Sequence, residues 1–128
     1  MRYDKHKEEA DKIFAEADLI FCLDFNASTR VDDMQTALDA SPAQKVMMDH
    51  HLNPTMDTAL TISHTDMSST CEIVFRVVWQ LGGFDMMNRK AAVAIYCGMM
   101  TDTGSFTYNS CRPEIYTIIG HLLTKGFD

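Results

Sequence analysis

Two short apolar runs constrain this chain more than any other feature: Leu19-Ile20-Phe21-Cys22-Leu23, closed by Asp24, and Lys45-Val46-Met47-Met48, closed by Asp49. Each is too short for a buried helix and suits a strand covered on both faces. The stretch from Asn26 to Ser41 between them reads as a polar turn and then a helix, with Val31, Met34, Ala37 and Leu38 on one side. An interval of that size holds one crossover helix with its loops, so the two strands are expected to run parallel. Their C-terminal ends then share one edge of a sheet, the edge where open α/β folds bind ligands. Asp24 stands at one of those ends, and Asp49-His50-His51 at the other.

The remaining pattern extends the same architecture. Ala10, Ile13, Phe14 and Ala17 share one helical face ahead of the first strand, and a third strand is expected near Ala59 to Ser63. Ser69-Thr70-Cys71-Glu72 fits a capping box, in which Ser and Glu reciprocally satisfy free backbone donors. The helix it opens has Ile73, Val74, Val77, Val78 and Leu81 as its buried stripe and stops at Gly82-Gly83. Asn88 or a neighbour caps a helix that is apolar nearly all round and is therefore expected to be central. The last helix begins at Pro113, carries Ile115, Ile118, Ile119, Leu122 and Leu123, and has Gly126 past its end. Strands alternating with helices predict an α/β fold built on a parallel sheet with right-handed crossovers. No repeat or Pro/Gly-rich linker interrupts the chain, which reads as one continuous domain over residues 1–128.

Charge and cysteine usage narrow the function. A net charge of −7 argues against a long sequence-independent nucleic-acid groove, which needs clustered Lys and Arg. It is compatible with a small phosphate substrate, because carboxylates hold metal ions and the ions then meet the phosphate. The longest apolar stretches are far short of the roughly 20 residues a bilayer needs, so no membrane association is expected. Cys22, Cys71, Cys97 and Cys111 are widely spaced, without a CxxC, and the charged first residues do not read as a signal peptide. The cysteines are expected to be reduced packing residues in a cytoplasmic protein.

The donors at the strand ends are carboxylate oxygen and imidazole nitrogen, a set that suits manganese, iron or zinc. A third element is Thr101-Asp102-Thr103-Gly104, at the close of an apolar helix, where an acid needs a compensating partner such as a metal. Asp49-His50-His51 resembles the triplet for which the DHH phosphoesterase superfamily is named. Gly98-Met99-Met100-Thr101-Asp102-Thr103-Gly104-Ser105-Phe106 is similar to that family's GxxTDTGxF motif, and Leu19 to Asn26 to its aspartate-bearing strand. Ser68-Ser69-Thr70-Cys71-Glu72 looks like its Ser-Thr-x-Glu helix start. DHH alone is a weak three-letter match, whereas four ordered motifs from about Ala17 onward are specific. The string around Asp102 is most similar to the oligoribonuclease and phosphoadenosine-phosphate phosphatase branch, some of whose members are labelled exopolyphosphatase-related.

The resemblance implies a manganese-dependent hydrolase of phosphate esters, acting on short oligonucleotides or nucleoside bisphosphates. It implies that Asp24 bridges two divalent ions, that His50 and Asp102 complete the shell of one, and that His51 faces the substrate phosphate. Asp49 is implied as the residue that orients a histidine. Two such ions, about 3.5–4 Å apart, activate a water and neutralise the phosphoryl oxygens. The sequence departs from the family at its start, where a strand with an HxxxDxD motif is expected. His6 is present, but no DxD follows and the pattern there is helical. The glycine-rich histidine motif of a C-terminal substrate domain is also missing. An incomplete DHH-type domain is therefore expected, either a piece of a longer protein or a short natural relative, and its uncovered apolar surface would favour association of copies.

Two other functions stay open: a degenerate, non-catalytic DHH-like binding module, and a pyrophosphatase-like hydrolase of inorganic phosphates. Single residues also have plainer explanations. Asp24 can cap a loop, and Asp102 can end a helix. Asp32 and Asp33 read as first-turn acids favoured by a helix dipole. Arg30, His6, His64 and His121 read as surface or structural residues, and the ten methionines as core filling.

Overall fold

A computed structural model describes residues 2–128, which divide into two compact units, one ending at Ser63 and the other running from His64 to Asp128. In the first unit a 3-10 turn at Tyr3–Lys5 leads into α1 (Lys7–Glu16). Ala10 is buried and Phe14 packs on the core, but Ile13 is exposed and Ala17 is already extended beyond the helix end. The expected four-residue face is thus shortened to two.

The strands β1 (Leu19–Leu23), β2 (Gln44–Asp49) and β3 (Leu60–Ser63) form a parallel sheet in the order β1-β2-β3. Leu23 is level with Met48 in one pairing, and Asp49 with Ser63 in the other. Cys22 and Met47 from adjacent strands join Leu38 in a small core, to which Ile20, Phe25 and Val31 add partial cover. Successive strand residues point to opposite faces, and β1 is covered on only one of them. Cys22 is buried, while Leu19, Phe21 and Leu23 are 46%, 54% and 43% exposed, which corrects the expectation of a strand buried on both sides. The central strand β2 does bury consecutive residues, Met47, Met48 and Asp49.

The segment after β1 also departs from expectation. A 3-10 stretch at Ser28–Met34 contains Asp32 at φ 45°, and only Gln35–Ala40 forms a regular helix, α2. A non-glycine residue at that φ breaks helical continuity. Asp32 and Asp33 therefore precede α2 instead of occupying its first turn, and the dipole account of them fails. Leu38 is nonetheless buried as its spacing predicts.

The second unit holds α3 (Thr70–Gln80), α4 (Arg89–Asp102) and α5 (Pro113–Leu123). Phe75, Ala92, Ile95, Met99, Ile115 and Leu122 make most of its core. Phe75 lies off the stripe read from sequence, while Leu81 on that stripe is 80% exposed just past the helix end. Asn88 caps α4 by accepting the Ala91 N–H at 2.9 Å. This helix is not buried all round: Ala91, Ala94, Cys97 and Thr101 face outward. Its small apolar residues made it look buried all round. Of the cysteines only Cys22 is fully buried, and burial pushes its thiol pKa up, whereas Cys97 and Cys111 are exposed. Met47, Met87 and Met99 fill the two cores and Met48 is buried beside Met47 in β2, but Met86 is exposed. Among the described residues no helix is long and apolar enough to cross a membrane.

Half of the expected capping box forms. Ser69 Oγ accepts the Glu72 N–H at 3.1 Å, but the Glu72 carboxylate reaches back to Ser68, accepting its N–H at 2.9 Å and its hydroxyl at 2.7 Å. It also accepts from Arg76 at 2.9 Å and from Arg112 at 2.6 and 2.8 Å. Glu72 is fully buried, and an isolated buried carboxylate would be strongly unfavourable. Burial alone would raise its pKa. The Ser68 donors and the two guanidinium groups outweigh that and hold it below the usual carboxylate range. A depressed pKa stabilises the fold above the unfolded-state value and loses that contribution as pH falls through the folded value. Urea denaturation between pH 7 and pH 3 should therefore show an acid-side loss of stability that Glu72→Gln flattens. At pH 7 the substitution should itself lower stability by about 2–3 kcal/mol, the loss of a charge-assisted bond or two.

Candidate metal centre

Parallel pairing brings the loops after β1 and β2 to the same edge of the sheet. The Asp24 N–H extends the ladder by one bond, donating to the Met48 carbonyl at 3.1 Å. Asp24 then turns the chain at φ 69°, a left-handed conformation that Asp tolerates better than most residues. Next to it, Asp49, His50 and His51 leave the end of the central strand. Asp24, His50 and His51 each offer one ligand atom, and the three atoms lie within 4.8 Å of one another. His50 Nε2 and Asp24 Oδ1 are 3.7 Å apart. That is too long for a hydrogen bond, and it is within the span of two ligands on one ion at about 2.1 Å each.

Asp49 works from behind this group. It is fully buried and accepts from His51 twice, from the backbone N–H at 3.0 Å and at ring Nδ1 at 2.8 Å. With Nδ1–H donating to a carboxylate, the free electron pair of the His51 ring is at Nε2. This tautomer follows from the hydrogen bond. The His50 and His51 rings stand edge to face with centroids 4.6 Å apart, so each limits the other's rotation. Carboxylate oxygen from Asp24 and imidazole nitrogen from His50 are donor types that fit a divalent first-row ion, with the His51 ring beside them.

Sequence reasoning did not single out Asn26. Its side chain is buried and donates to the Leu52 carbonyl at 2.9 Å, while the Asn26 backbone carbonyl accepts the N–H groups of Thr55 and Met56 at 2.9 and 3.2 Å. Asn26 therefore straps the loop carrying Asp24 to the loop that follows the histidines. Its signal in the sequence was an amide three residues beyond a strand end, which any turn could use.

Asp102 belongs to the second unit, as the last, half-buried residue of α4. The turn after it is built by Thr103, which is buried and whose hydroxyl donates to the Met99 carbonyl at 2.7 Å and accepts the Phe106 N–H at 3.0 Å. One turn earlier, Gly98 permits α4 to touch α3, since a Cβ there would overlap the Cys71 sulfur outright. These contacts explain why that string needs glycine at 98 and threonine at 103. Arg30 and His64 are exposed, and His6 precedes α1 without a capping hydrogen bond. His121, read as surface or structural, is half-buried and packs on Trp79 with ring centroids 4.5 Å apart.

Comparison with known proteins gives consistent results. The family model for the DHH family, N-terminal domain, matches residues 2–99. An exopolyphosphatase-related protein from Bacteroides fragilis, known from its crystal structure, superposes on the whole chain with a TM-score of 0.98 and 52% identity, covering 38% of that protein. The bifunctional oligoribonuclease and PAP phosphatase NrnA of Bacillus subtilis is 28% identical over 94% of this chain and 38% of its own length. An uncharacterized protein of Mycoplasma pneumoniae, the MG371 homolog, is 29% identical over 66% of this chain and 26% of its own. The chain thus spans well under half the length of these relatives.

The strap at Asn26 can be tested without any substrate. Asn26→Ala leaves the Leu52 carbonyl without its partner and should lower stability by about 1–2 kcal/mol. Hydrogen exchange should accelerate at the Thr55 and Met56 amides, whose acceptor is then less firmly placed. Unchanged protection at both amides would show that the strap does not hold the two loops together.

Proposed function

Because the chain belongs to the DHH family, we propose that residues 1–128 are part of the catalytic domain of a metal-dependent phosphoesterase, with manganese as the ion. The observation that carries the proposal is the Asp24, His50 and His51 cluster, braced by buried Asp49 at the shared end of two parallel strands. Asp24 and His50 are the metal ligands on the sheet edge, and the TDTG motif nominates Asp102 as a further one. Bound divalent ions supply Lewis acidity, lowering the pKa of water and neutralising charge on phosphoryl oxygens. His51, whose Nδ1 is committed to Asp49, presents Nε2 to the phosphate of the substrate. The Asp49 carboxylate keeps that ring in one tautomer and one orientation, so that no reorganisation is needed as charge develops.

The names of the relatives support a substrate class. NrnA is described as an oligoribonuclease and PAP phosphatase, which supports short oligonucleotides or nucleoside bisphosphates. A net charge of −7 fits this class better than a long nucleic acid, because few basic residues are present to follow a backbone.

Two measurements test the proposal. Titration of the 128-residue chain with Mn2+, followed by calorimetry, should show binding that Asp24→Ala and His50→Ala each weaken by more than about 10–100-fold, the loss typical of an outer-shell partner alone. Equal affinity in wild type and variants would remove these residues as ligands. In the full-length product of the gene, Mn2+ should support hydrolysis of a dinucleotide or of phosphoadenosine phosphate, and Asp24→Ala should reduce kcat by about 100-fold or more. His51→Ala should lower kcat while leaving Mn2+ content nearly unchanged. Full activity in either variant would contradict the assigned roles.

A further inference from the structure

The second unit carries a cavity of about 360 Å³ between α3 and α5 that the phosphoesterase site does not use. Its walls are two helical stripes. Phe75, Arg76, Trp79 and Gln80 come from α3, while Glu114, Thr117, Ile118 and His121 come from α5. The volume falls within the range of small-ligand sites, roughly 300–1,000 Å³.

The lining is selective in two ways. Its wall is aromatic: Trp79 packs on His121 at 4.5 Å and on Phe75 at 5.8 Å between ring centroids. Its polar groups are of both kinds, with the Arg76 guanidinium as donor, the Glu114 carboxylate as acceptor, and the Gln80 amide and Thr117 hydroxyl able to be either. Arg76 is also fixed in place, because its Nε and one Nη donate to buried Glu72 at 3.2 and 2.9 Å. The site therefore holds a braced cation and an acid around an apolar, ring-lined space. A free phosphate is a poor occupant, since Glu114 would repel it and most of the wall offers it nothing. A purely aliphatic ligand would make no use of the polar groups at the rim. A flat heterocycle with donors and acceptors on its edge satisfies both, by packing on the rings and hydrogen-bonding at the rim.

We propose that this cavity binds a nucleobase. The choice of a nucleobase over other flat heterocycles rests on the phosphoesterase reading; the cavity and its chemistry do not. Trp79 is the chain's one tryptophan, so its fluorescence reports on this site alone.

The 128-residue protein is titrated with adenosine in the presence of EDTA, with ribose and inorganic phosphate as separate controls. Adenosine should quench Trp79 saturably, and neither control should do so. Glu114 and Thr117 are exposed, so Glu114→Ala and Thr117→Phe should leave the circular dichroism spectrum and Tm unchanged. Each should raise the half-saturating adenosine concentration by about tenfold or more, as expected for a lost bond to a charged group or a filled cavity. Absence of saturable quenching by adenosine overturns the proposal, and so does quenching that both variants leave untouched or that phosphate alone reproduces. The two readings fail separately. Asp24→Ala should keep the adenosine response. Hydrolysis without that response removes the base site alone, and the response without hydrolysis removes the phosphoesterase assignment and leaves the site.

Discussion

In a parallel β-pair the backbone hydrogen bonds determine which residues emerge together at the end of the two strands. Here Leu23 is level with Met48, and the Asp24 N–H still bonds to the Met48 carbonyl. Asp24 and the Asp49-His50-His51 triplet therefore leave the sheet side by side. A slip of one residue would turn every side chain of β1 to the other face, exposing Cys22 and burying Leu23. The small core of Cys22, Leu38 and Met47 thus holds the register, and the register holds the candidate metal centre.

The polar residues of that centre follow from the same geometry. Asp49 ends the central strand, where burial is complete, so its carboxylate must be satisfied from within the protein. The His51 ring and backbone N–H do this. The interaction that satisfies a buried carboxylate also aims a histidine. Asp24 lies on the less covered strand and stays more open, as suits a group that exchanges solvent for a ligand. Glu72 in the second unit is likewise buried, but its two arginines and Ser68 tie α3 to the start of α5.

Much of this was legible in the residues. Two apolar runs ending in carboxylate and imidazole led to parallel strands with a shared, metal-competent edge, and both the pairing and the Asp24–His50–His51 cluster are present. Both caps at Ser69 and Asn88 were readable because capping is local, needing only a side-chain oxygen near an N–H two or three residues on. The misreadings came from features that a one-dimensional pattern does not encode. An apolar strand looks the same whether one or both faces are covered, and β1 has one face open. A helix rich in alanine looks buried, yet α4 turns Ala91, Ala94 and Cys97 outward. The break at Asp32 depends on one backbone angle, which Asp permits without requiring.

By itself the sequence determined the class of fold, the helix boundaries marked by caps, proline and glycine, and the residue types available for metal chemistry. These depend on periodicity and on contacts between near neighbours along the chain. Only the tertiary structure decided which donors meet, that Asn26 straps two loops across 26 residues of sequence, and that Arg112 joins Glu72 across 40. It also decided that Trp79 and His121 line one cavity. Such contacts are chosen by which surfaces pack together and which buried charges must be answered, and no local pattern records the identity of a partner so far along the chain.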